Sequence, residues 1–161
     1  MQLKLSRQFS GHGPTSGFTL IELMVTLSIA AVFAAIAAPS FRDFVAGQRI
    51  KIAAYDISYT LANVRSEALK RNANVVMVPA AGGWQNGWTV TAAGGNVVGR
   101  HEAFSGLTVT GPTVGVTYNN SGRVTSADNL FAVSSSVSTN ATPRCVSIDL
   151  SGLSTSKAGA C

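Results

Sequence analysis

The stretch from Phe18 to Ala38 constrains this chain more than any other part of the sequence. Glu22 is the only charged side chain in it, and most of its other residues are apolar. As an α-helix the stretch would span about 30 Å, the thickness of the hydrocarbon core of a bilayer. A helix that is apolar on every face needs either lipid or a much larger protein around it. The stretch therefore predicts a membrane-spanning helix.

The residues before this stretch, 1–17, form a short basic leader. They contain no acidic residue and three basic ones, Lys4, Arg7 and His12, which is typical of an export signal. A conventional secretory signal has its small-residue cleavage site after the apolar part, whereas here the small residue Gly17 precedes it. Cleavage between Gly17 and Phe18 would therefore leave the apolar helix on the mature protein.

Glu22 would then be the fifth residue of the mature chain. An ionisable group inside a membrane costs several kcal/mol, so Glu22 is a candidate functional residue for which a partner must be found.

The segment from Gly17 to Pro39, GFTLIELMVTLSIAAVFAAIAAP, resembles the class III signal and N-terminal helix of type IV prepilins and type II secretion pseudopilins. The resemblance implies that a prepilin peptidase cleaves after Gly17 and methylates the amine of Phe18. It also implies that Glu22 pairs with the Phe18 ammonium of a neighbouring subunit during assembly. Such a pair would neutralise a charge that lipid disfavours. Pro39 stands where pilin helices carry a proline.

The helix is predicted to continue beyond the membrane. Pro39 removes one backbone hydrogen bond and is expected to kink the helix rather than end it. Apolar residues then recur at spacings of three, four and seven, which predicts one apolar helical face: Phe41, Phe44, Val45, Ile52, Tyr55, Tyr59, Ala62 and Leu69. Asn72 is predicted to end the helix. Because the basic leader favours the cytoplasmic side of a bacterial inner membrane, the rest of the chain is predicted to be periplasmic.

The remainder of the chain, 73–161, is predicted to be a β-domain. Short runs rich in β-branched residues alternate with Gly, Asn and Ser turns: 75–79, 87–91, 97–103, 107–111, 114–119, 130–135 and 145–150. The first two runs are predicted to pair as a hairpin. The expected fold class is α+β, type IV pilin-like, with a long N-terminal helix packed on antiparallel β-sheets. The expected organisation is a leader (1–17), a transmembrane half-helix (18–38), an amphipathic half-helix (39–72) and the β-domain (73–161).

From about Ala53 to Asp149 the chain also resembles the GspH/FimT group of minor pilins and pseudopilins. Four segments carry this resemblance: LANVRSEALKRNANVVMV, GGWQNGWTV, VTYNNSGRVTS and RCVSIDLSG. The paired tryptophans Trp84 and Trp88 are its most characteristic residues. It implies a FimU/FimT-like minor pilin that helps to initiate pilus assembly or lies at the pilus tip, together with major and other minor pilins. A type II secretion pseudopilin of the GspH kind is the alternative, because the N-terminal helix and its chemistry would be the same.

Two cysteines, Cys145 and Cys161, follow the predicted membrane helix. In an oxidising periplasm they are expected to form a disulfide, worth roughly 3 kcal/mol in the loop-entropy model. Two free thiols are the alternative. The loop between them would either hold the C-terminal strand in place or offer a surface to neighbouring subunits. Two cysteines with no nearby histidine supply too few ligands for a zinc site.

No constellation of residues in the sequence predicts catalysis. The seven acidic residues are scattered, and His101 lacks a neighbouring nucleophile motif, so we expect a surface histidine and no enzyme, metal or cofactor.

DNA binding in natural transformation is a second alternative function. The formal net charge is +5, and it falls to +3 once Lys4 and Arg7 leave with the leader, which is weak evidence for a polyanionic partner. The FimT branch is associated with DNA capture through a Gly-Arg-x-Arg motif near the C-terminus. The corresponding stretch, 152–157, keeps the glycine but replaces both arginines, leaving Lys157 and nearby Arg144 as candidate contacts. Solvated surface charge is the favoured interpretation of these two side chains.

Overall fold

The computed structural model describes residues 17–126 and 128–161, so the predicted leader up to residue 16 lies outside the described part. The first element is a single long helix, α1 (Leu20–Arg71). The chain forms two compact units, one extending to Ala38 and the other from Pro39 to Cys161. Every buried apolar residue of the described chain lies between Ala46 and Ile148, so the second unit contains the whole hydrophobic core.

Eight strands follow the helix. They are β1 (Val75–Pro79), β2 (Trp88–Ala92), β3 (Val97–His101), β4 (Leu107–Thr110), β5 (Val116–Tyr118), β6 (Leu130–Ser135), β7 (Arg144–Ile148) and β8 (Ser154–Ala158), with a short 3₁₀ turn at Trp84–Asn86. The strands form two four-stranded antiparallel sheets, in the orders β3-β2-β1-β5 and β4-β6-β7-β8. The predicted α+β class, with a long N-terminal helix and antiparallel sheets, is confirmed.

The C-terminal end of α1 is fixed by local backbone chemistry. Asn72 has a positive φ of 49°, a conformation that asparagine tolerates better than most residues. Its N–H donates to the carbonyl of Leu69, and the N–H of Ala73 donates to the carbonyl of Ala68. These two bonds form a Schellman motif, which satisfies carbonyl groups that a helix end otherwise leaves unpaired. The predicted helix end at Asn72 is confirmed.

The face of α1 that packs on the sheets is not the face that the apolar spacing predicted. The predicted residues Phe41, Phe44, Ile52, Tyr55, Tyr59 and Leu69 are between 49% and 68% exposed, Ala62 is exposed and Val45 is only half-buried. The buried residues are instead Ala46, Ile50, Ala53, Ala54, Ile57, Leu61, Val64 and Ala68. Four of these are alanines, which let the helix backbone approach the sheets closely and leave less room for aromatic rings on that side.

All seven predicted strands are present within one or two residues of their expected bounds. The predicted hairpin is confirmed, because β1 and β2 pair antiparallel with Val75 opposite Ala92 and Pro79 opposite Trp88. An eighth strand, β8, was not predicted, since its sequence Ser-Thr-Ser-Lys-Ala has a single β-branched residue and no aromatic one. It pairs with all five residues of β7 and forms the edge of the second sheet.

The two tryptophans belong to the core. Trp84 and Trp88 are 3% and 1% exposed. The indole N–H of Trp84 donates to the carbonyl of Pro112 at 3.0 Å, and its ring meets Phe131 edge-on with the centroids 4.8 Å apart. Trp84 therefore joins the turn between β1 and β2 of the first sheet to β6 of the second sheet, and both tryptophans have a structural role.

Candidate functional site

The residues predicted to flank the cleavage point lie outside the helix. Gly17 and Phe18 precede α1, and the Phe18 side chain is 83% exposed. A Cβ atom built on Gly17 would lie more than 4 Å from the atoms that surround it. The described structure would therefore accommodate a larger side chain at position 17, and packing within it does not require a glycine there.

Glu22 and Thr19 form a reciprocal capping box at the start of α1. The backbone N–H of Glu22 donates to the hydroxyl of Thr19 at 3.2 Å, and the backbone N–H of Thr19 donates to the Glu22 carboxylate at 3.5 Å. Two N–H groups that a helix start leaves unpaired are thereby satisfied. The carboxylate also lies near the positive end of the helix dipole. Thr19 was missed in the sequence analysis, although Thr-x-x-Glu before an apolar run is the signal for this motif.

The N-terminal part of α1 suits a lipid environment. Its apolar side chains are exposed, including Ile21, Leu27 and Phe33, and its most apolar 18-residue window has a mean hydropathy of 2.3. Its hydroxyl groups bond to the helix itself: Thr26 donates to the carbonyl of Leu23 at 2.9 Å, and Ser28 to that of Met24 at 2.8 Å. Both hydroxyl groups are therefore satisfied within the helix and would need no partner from a surrounding lipid. By length and composition, the helix fits a membrane anchor.

Pro39 lies inside α1, with helical residues on both sides of it. The helix therefore continues through the proline, and the kink expected there stays a prediction.

Beyond Pro39, α1 presents a second apolar face to solvent. We call Phe41, Phe44, Ile52, Tyr55 and Tyr59 the outer helix face. At about 100° per residue these side chains fall on one side of the helix, opposite the face that contacts the sheets. The rings of Tyr55 and Tyr59 stack with centroids 6.3 Å apart. A helix face that exposes this many large apolar and aromatic side chains indicates an interaction site.

The C-terminal strand is held by the disulfide that the sequence predicted. Cys145 in β7 is bonded to Cys161, with the two Cα atoms 5.0 Å apart. The two cysteines thus enclose the β7–β8 hairpin from Cys145 onward rather than an irregular loop. Among the described residues, no group of three or more potential ligands is placed to hold a metal ion.

Hydrogen-bonded carboxylates fix two loops of the second unit. Asp43 in α1 accepts hydrogen bonds from the hydroxyl of Ser138 at 2.6 Å and the side-chain amide of Asn140 at 2.9 Å. These bonds lower the pKa of Asp43, because they favour its charged form. Asp149 in the β7–β8 turn has a lowered pKa for the same reason, since it accepts from the Ser151 hydroxyl at 2.6 Å.

Tyr118 is the buried titratable group of the described core. Its side chain is fully buried, and its hydroxyl donates to the carbonyl of Gly152 at 3.1 Å. Burial raises the pKa of Tyr118 to about 12, since the charged phenolate would lose its solvation.

A family model described as the type II transport protein GspH matches residues 53–152. The chain belongs to this family. A second family model, the prokaryotic N-terminal methylation motif, matches residues 14–38, the segment that contains Gly17, Phe18 and Glu22. A search of curated proteins gives no match.

The GspH-family chain also resembles two crystal structures of the type IV minor pilin FimU from Pseudomonas aeruginosa strain PAO1. The structure in space group P65 has a TM-score of 0.57 at 21% identity and covers 66% of this chain and 91% of the FimU chain. The structure in space group P21 has a TM-score of 0.60 at 20% identity and covers 71% and 92%. At these identities the likeness concerns the fold.

Within this GspH-family domain, the two candidate DNA contacts do not form one patch. Lys157 lies opposite Cys145 in the β7–β8 ladder, whereas Arg144 lies opposite Ala158. Because side chains alternate between the faces of a sheet, Arg144 and Lys157 point to opposite faces. The guanidinium Nε of Arg144 donates to the hydroxyl of Ser156 at 3.2 Å, and Arg144 lines a groove with Lys51 of α1.

Proposed function

We propose that this chain is a minor type IV pilin, a structural subunit that helps to initiate pilus assembly or forms part of the pilus tip. It is made as a precursor, cleaved by a prepilin peptidase between Gly17 and Phe18, and methylated at the new amine. It is held in the inner membrane with its second unit in the periplasm until it joins a filament with other pilins. One observation carries the proposal: an apolar, exposed helix that begins in an N-methylation motif leads directly into a GspH-family domain.

The charge at Glu22 is the chemical centre of this proposal. A carboxylate at the bilayer level raises the cost of keeping the helix in lipid by roughly 3 kcal/mol. Cleavage after Gly17 would create an ammonium group at Phe18, and a neighbour's ammonium would neutralise the carboxylate in the assembled filament. Pairing would therefore favour the filament over the isolated subunit in the membrane, and it would fix how far neighbouring helices are displaced along their axes.

The outer helix face supplies a second contact surface. Its five large side chains are well exposed in the single chain, although they are apolar or aromatic. Covering them against neighbouring helices would gain hydrophobic free energy at about 25 cal/mol for each Å² of apolar surface removed from water.

Two variants of Glu22 separate its charge from its capping role. Glu22→Gln keeps a side chain that can cap the helix start, because glutamine also serves in a capping box, but it removes the charge. Glu22→Ala removes both. We expect both variants to be inserted and cleaved normally but to be lost from sheared pili, measured by immunoblotting of membrane and pilus fractions. Normal incorporation of Glu22→Gln would refute the charge-pairing role and leave only helix capping. Thr19→Val is the matched control, since it weakens the cap without changing the charge.

A type II secretion pseudopilin is the second candidate, favoured by the family description, type II transport protein GspH. A clean deletion strain distinguishes the two machines. We expect the deletion to remove surface pili, counted by electron microscopy, and the restored gene to recover them. Normal piliation together with loss of secreted enzymes from the medium would identify a pseudopilin instead.

A DNA receptor finds less support, because Arg144 and Lys157 point to opposite faces of the second sheet. A gel shift of the second unit across a salt series tests it, since phosphate contacts would give affinity that falls steeply as salt rises.

A further inference from the structure

A shallow groove of about 360 Å³ lies beside the first turns of α1 after Pro39, within the second unit. One helix face and one loop line it: Phe41, Arg42, Val45, Ala46, Arg49 and Val137. We define the basal surface as the four of these side chains that are exposed: Phe41, Arg42, Arg49 and Val137. Its two apolar members, Phe41 and Val137, are 67% and 66% exposed, and its other two members are guanidinium groups.

The loop between β6 and β7 holds Val137 beside the helix. The backbone N–H groups of Val137 and Ser138 donate to the hydroxyl of Ser135 at 3.1 and 3.0 Å. The hydroxyl of Ser138 in turn donates to Asp43 of α1. These bonds fix the turn that carries Val137 and tie it to the helix, so the apolar and the charged parts of the basal surface keep a fixed arrangement.

The positive charge of the basal surface is not compensated by a carboxylate. Arg42 and Arg49 are seven residues apart, which places them on one side of the helix about 10 Å from each other. In the described ranges 17–126 and 128–161 neither forms an ion pair, and Arg49 donates only a long bond of 3.5 Å to the carbonyl of Ser105. Asp43 is the acidic residue next to them in sequence, but both of its carboxylate oxygens accept hydrogen bonds from the loop.

The basal surface follows directly on the stretch that fits a membrane anchor. Ala38 is the last residue of that stretch, and Phe41 is the third residue after it. Three residues span at most about 11 Å, whatever the angle of the helix at Pro39. The headgroup layer on each side of a bilayer is roughly 5–8 Å thick. Phe41 would thus lie at the headgroups or just beyond them, and Val137 is close to it because both line the same groove.

We infer that the basal surface binds anionic phospholipid headgroups while the chain is held in the membrane. Guanidinium groups pair with phosphate in a bidentate manner, and Arg42 and Arg49 would supply two such contacts. Phe41 and Val137 would enter between the headgroups, as apolar side chains of interfacial segments do. A purely apolar partner would instead bury two unpaired charges, which is unfavourable. The inference rests on the membrane anchor of the proposed function, but not on the role in a pilus.

The anchor makes even a weak lipid contact effective, because it holds the basal surface at a high local concentration of headgroups. Phe41 also belongs to the outer helix face. Lipid and a neighbouring helix therefore compete for this side chain, and entry into a filament would release the basal surface from the bilayer.

Binding is tested on the unit Pro39–Cys161, which contains the whole core and both cysteines. The unit is sedimented with vesicles of phosphatidylcholine alone or mixed with an equal part of phosphatidylglycerol. We expect half-maximal binding to the mixed vesicles near about 1 mM accessible lipid, falling as salt is raised, and little binding to phosphatidylcholine alone. Equal binding to both vesicles, or none to either at low salt, would overturn the inference.

Variants locate the lipid contact. Arg42→Gln and Arg49→Gln should each weaken binding about fivefold, as for one charge lost near an anionic surface. Val137→Ser should weaken binding without changing its salt dependence. The matched control is Arg123→Gln, since this exposed arginine follows a glycine whose carbonyl accepts from Arg65, about 35 Å along α1 from Arg42. An equal loss in Arg123→Gln would show attraction by net charge alone and would contradict a basal site.

The full chain in bilayers of brominated lipid gives an independent test. The fluorescence of Phe41→Trp should be quenched, whereas that of Tyr59→Trp, about 27 Å further along α1, should not be. Quenching at both positions, or at neither, would refute the basal location.

A short DNA duplex added to the vesicle assay tests the other polyanion. If it displaces the unit at a lower phosphate concentration than phosphatidylglycerol needs for binding, the surface is a DNA site and the lipid inference is wrong. Vesicle binding requires neither cleavage after Gly17 nor a filament, so its failure is distinguishable from a failure of the pilin proposal.

Discussion

Loss of the disulfide between Cys145 and Cys161 should destabilise the second unit by a predictable amount. The two residues are separated by 16 positions, and the bond closes the β7–β8 hairpin. Cys161→Ser is the cleaner single change, because Cys161 is exposed whereas Cys145 is 1% exposed and a serine there would bury a hydroxyl. The variant leaves the five paired residues of the hairpin in place and removes only the covalent closure.

The expected loss follows from the entropy of the unfolded chain. For a loop of this length the constraint is worth about 3 kcal/mol at 25 °C. A unit of roughly 120 residues has an unfolding entropy near 0.25 kcal/mol per degree, so this loss corresponds to a fall in Tm of about 12 °C. The strand β8 should also exchange its amide protons faster, because it lies at a sheet edge and no residue in it is buried.

The assay is thermal unfolding of the purified unit, followed by circular dichroism, with and without dithiothreitol. Reduction should lower the Tm of the unchanged protein by the same amount as Cys161→Ser does. The variant itself should be insensitive to the reductant, which controls for unrelated effects of the reagent. An unchanged Tm on reduction would show that the bond does not form or does not constrain the unfolded chain, and it would refute the reasoning.

Three further changes test the packing and the electrostatics. Folding raises the pKa of Tyr118 from about 10 to about 12, so its contribution to the free energy of unfolding is complete below pH 10, and about 3 kcal/mol of it is lost as the pH rises to 12. Tyr118→Phe should abolish this loss of stability at alkaline pH, measured by urea unfolding. The pKa of Asp43 is lowered from 3.8 on folding, so this carboxylate contributes to the free energy of unfolding above pH 3.8, and the contribution is lost as the pH falls through the pKa of the folded state. Asp43→Asn should make the stability less dependent on pH in this acidic range, measured by urea unfolding. Ile57→Ala should cost about 2–5 kcal/mol by opening a cavity, whereas Ile52→Ala, on the outer helix face, should cost less than about 1 kcal/mol.

The strands were predictable from sequence because their signals are local. β1 ends at Pro79, and the turn between β1 and β2 contains Gly82 and Gly83, both with positive φ. These residues set strand ends with little influence from distant parts of the chain. β8 escaped prediction because its stability comes from elsewhere, namely from pairing with β7 and from the bond to Cys161. A strand defined by its partners carries a weak signal in its own sequence.

The site was predictable where a short motif defines it and not where packing defines it. Gly17, Phe18 and Glu22 belong to one contiguous segment, so their proposed roles follow from order along the chain. The contact between Asp56 of α1 and His101 of β3, 3.4 Å apart, was not predictable in this way, because it depends on the register of β3 and on the rotation of the helix. Neither quantity is encoded in a local spacing.

The rotation of α1 shows why spacing alone could not decide which face is buried. After Pro39 the helix has two apolar faces, one of alanines with medium aliphatic residues and one of aromatic and larger residues. Periodicity detects both faces, and the prediction chose the face with the aromatic rings, which present the largest surface per side chain. The sheets select the other face, since alanines allow closer approach and more backbone contact. A chain that folded only for its own stability would have little reason to keep Phe41, Phe44 and Tyr55 in water. The larger residues are therefore better explained by a surface that is covered by a second molecule, as the proposed filament requires.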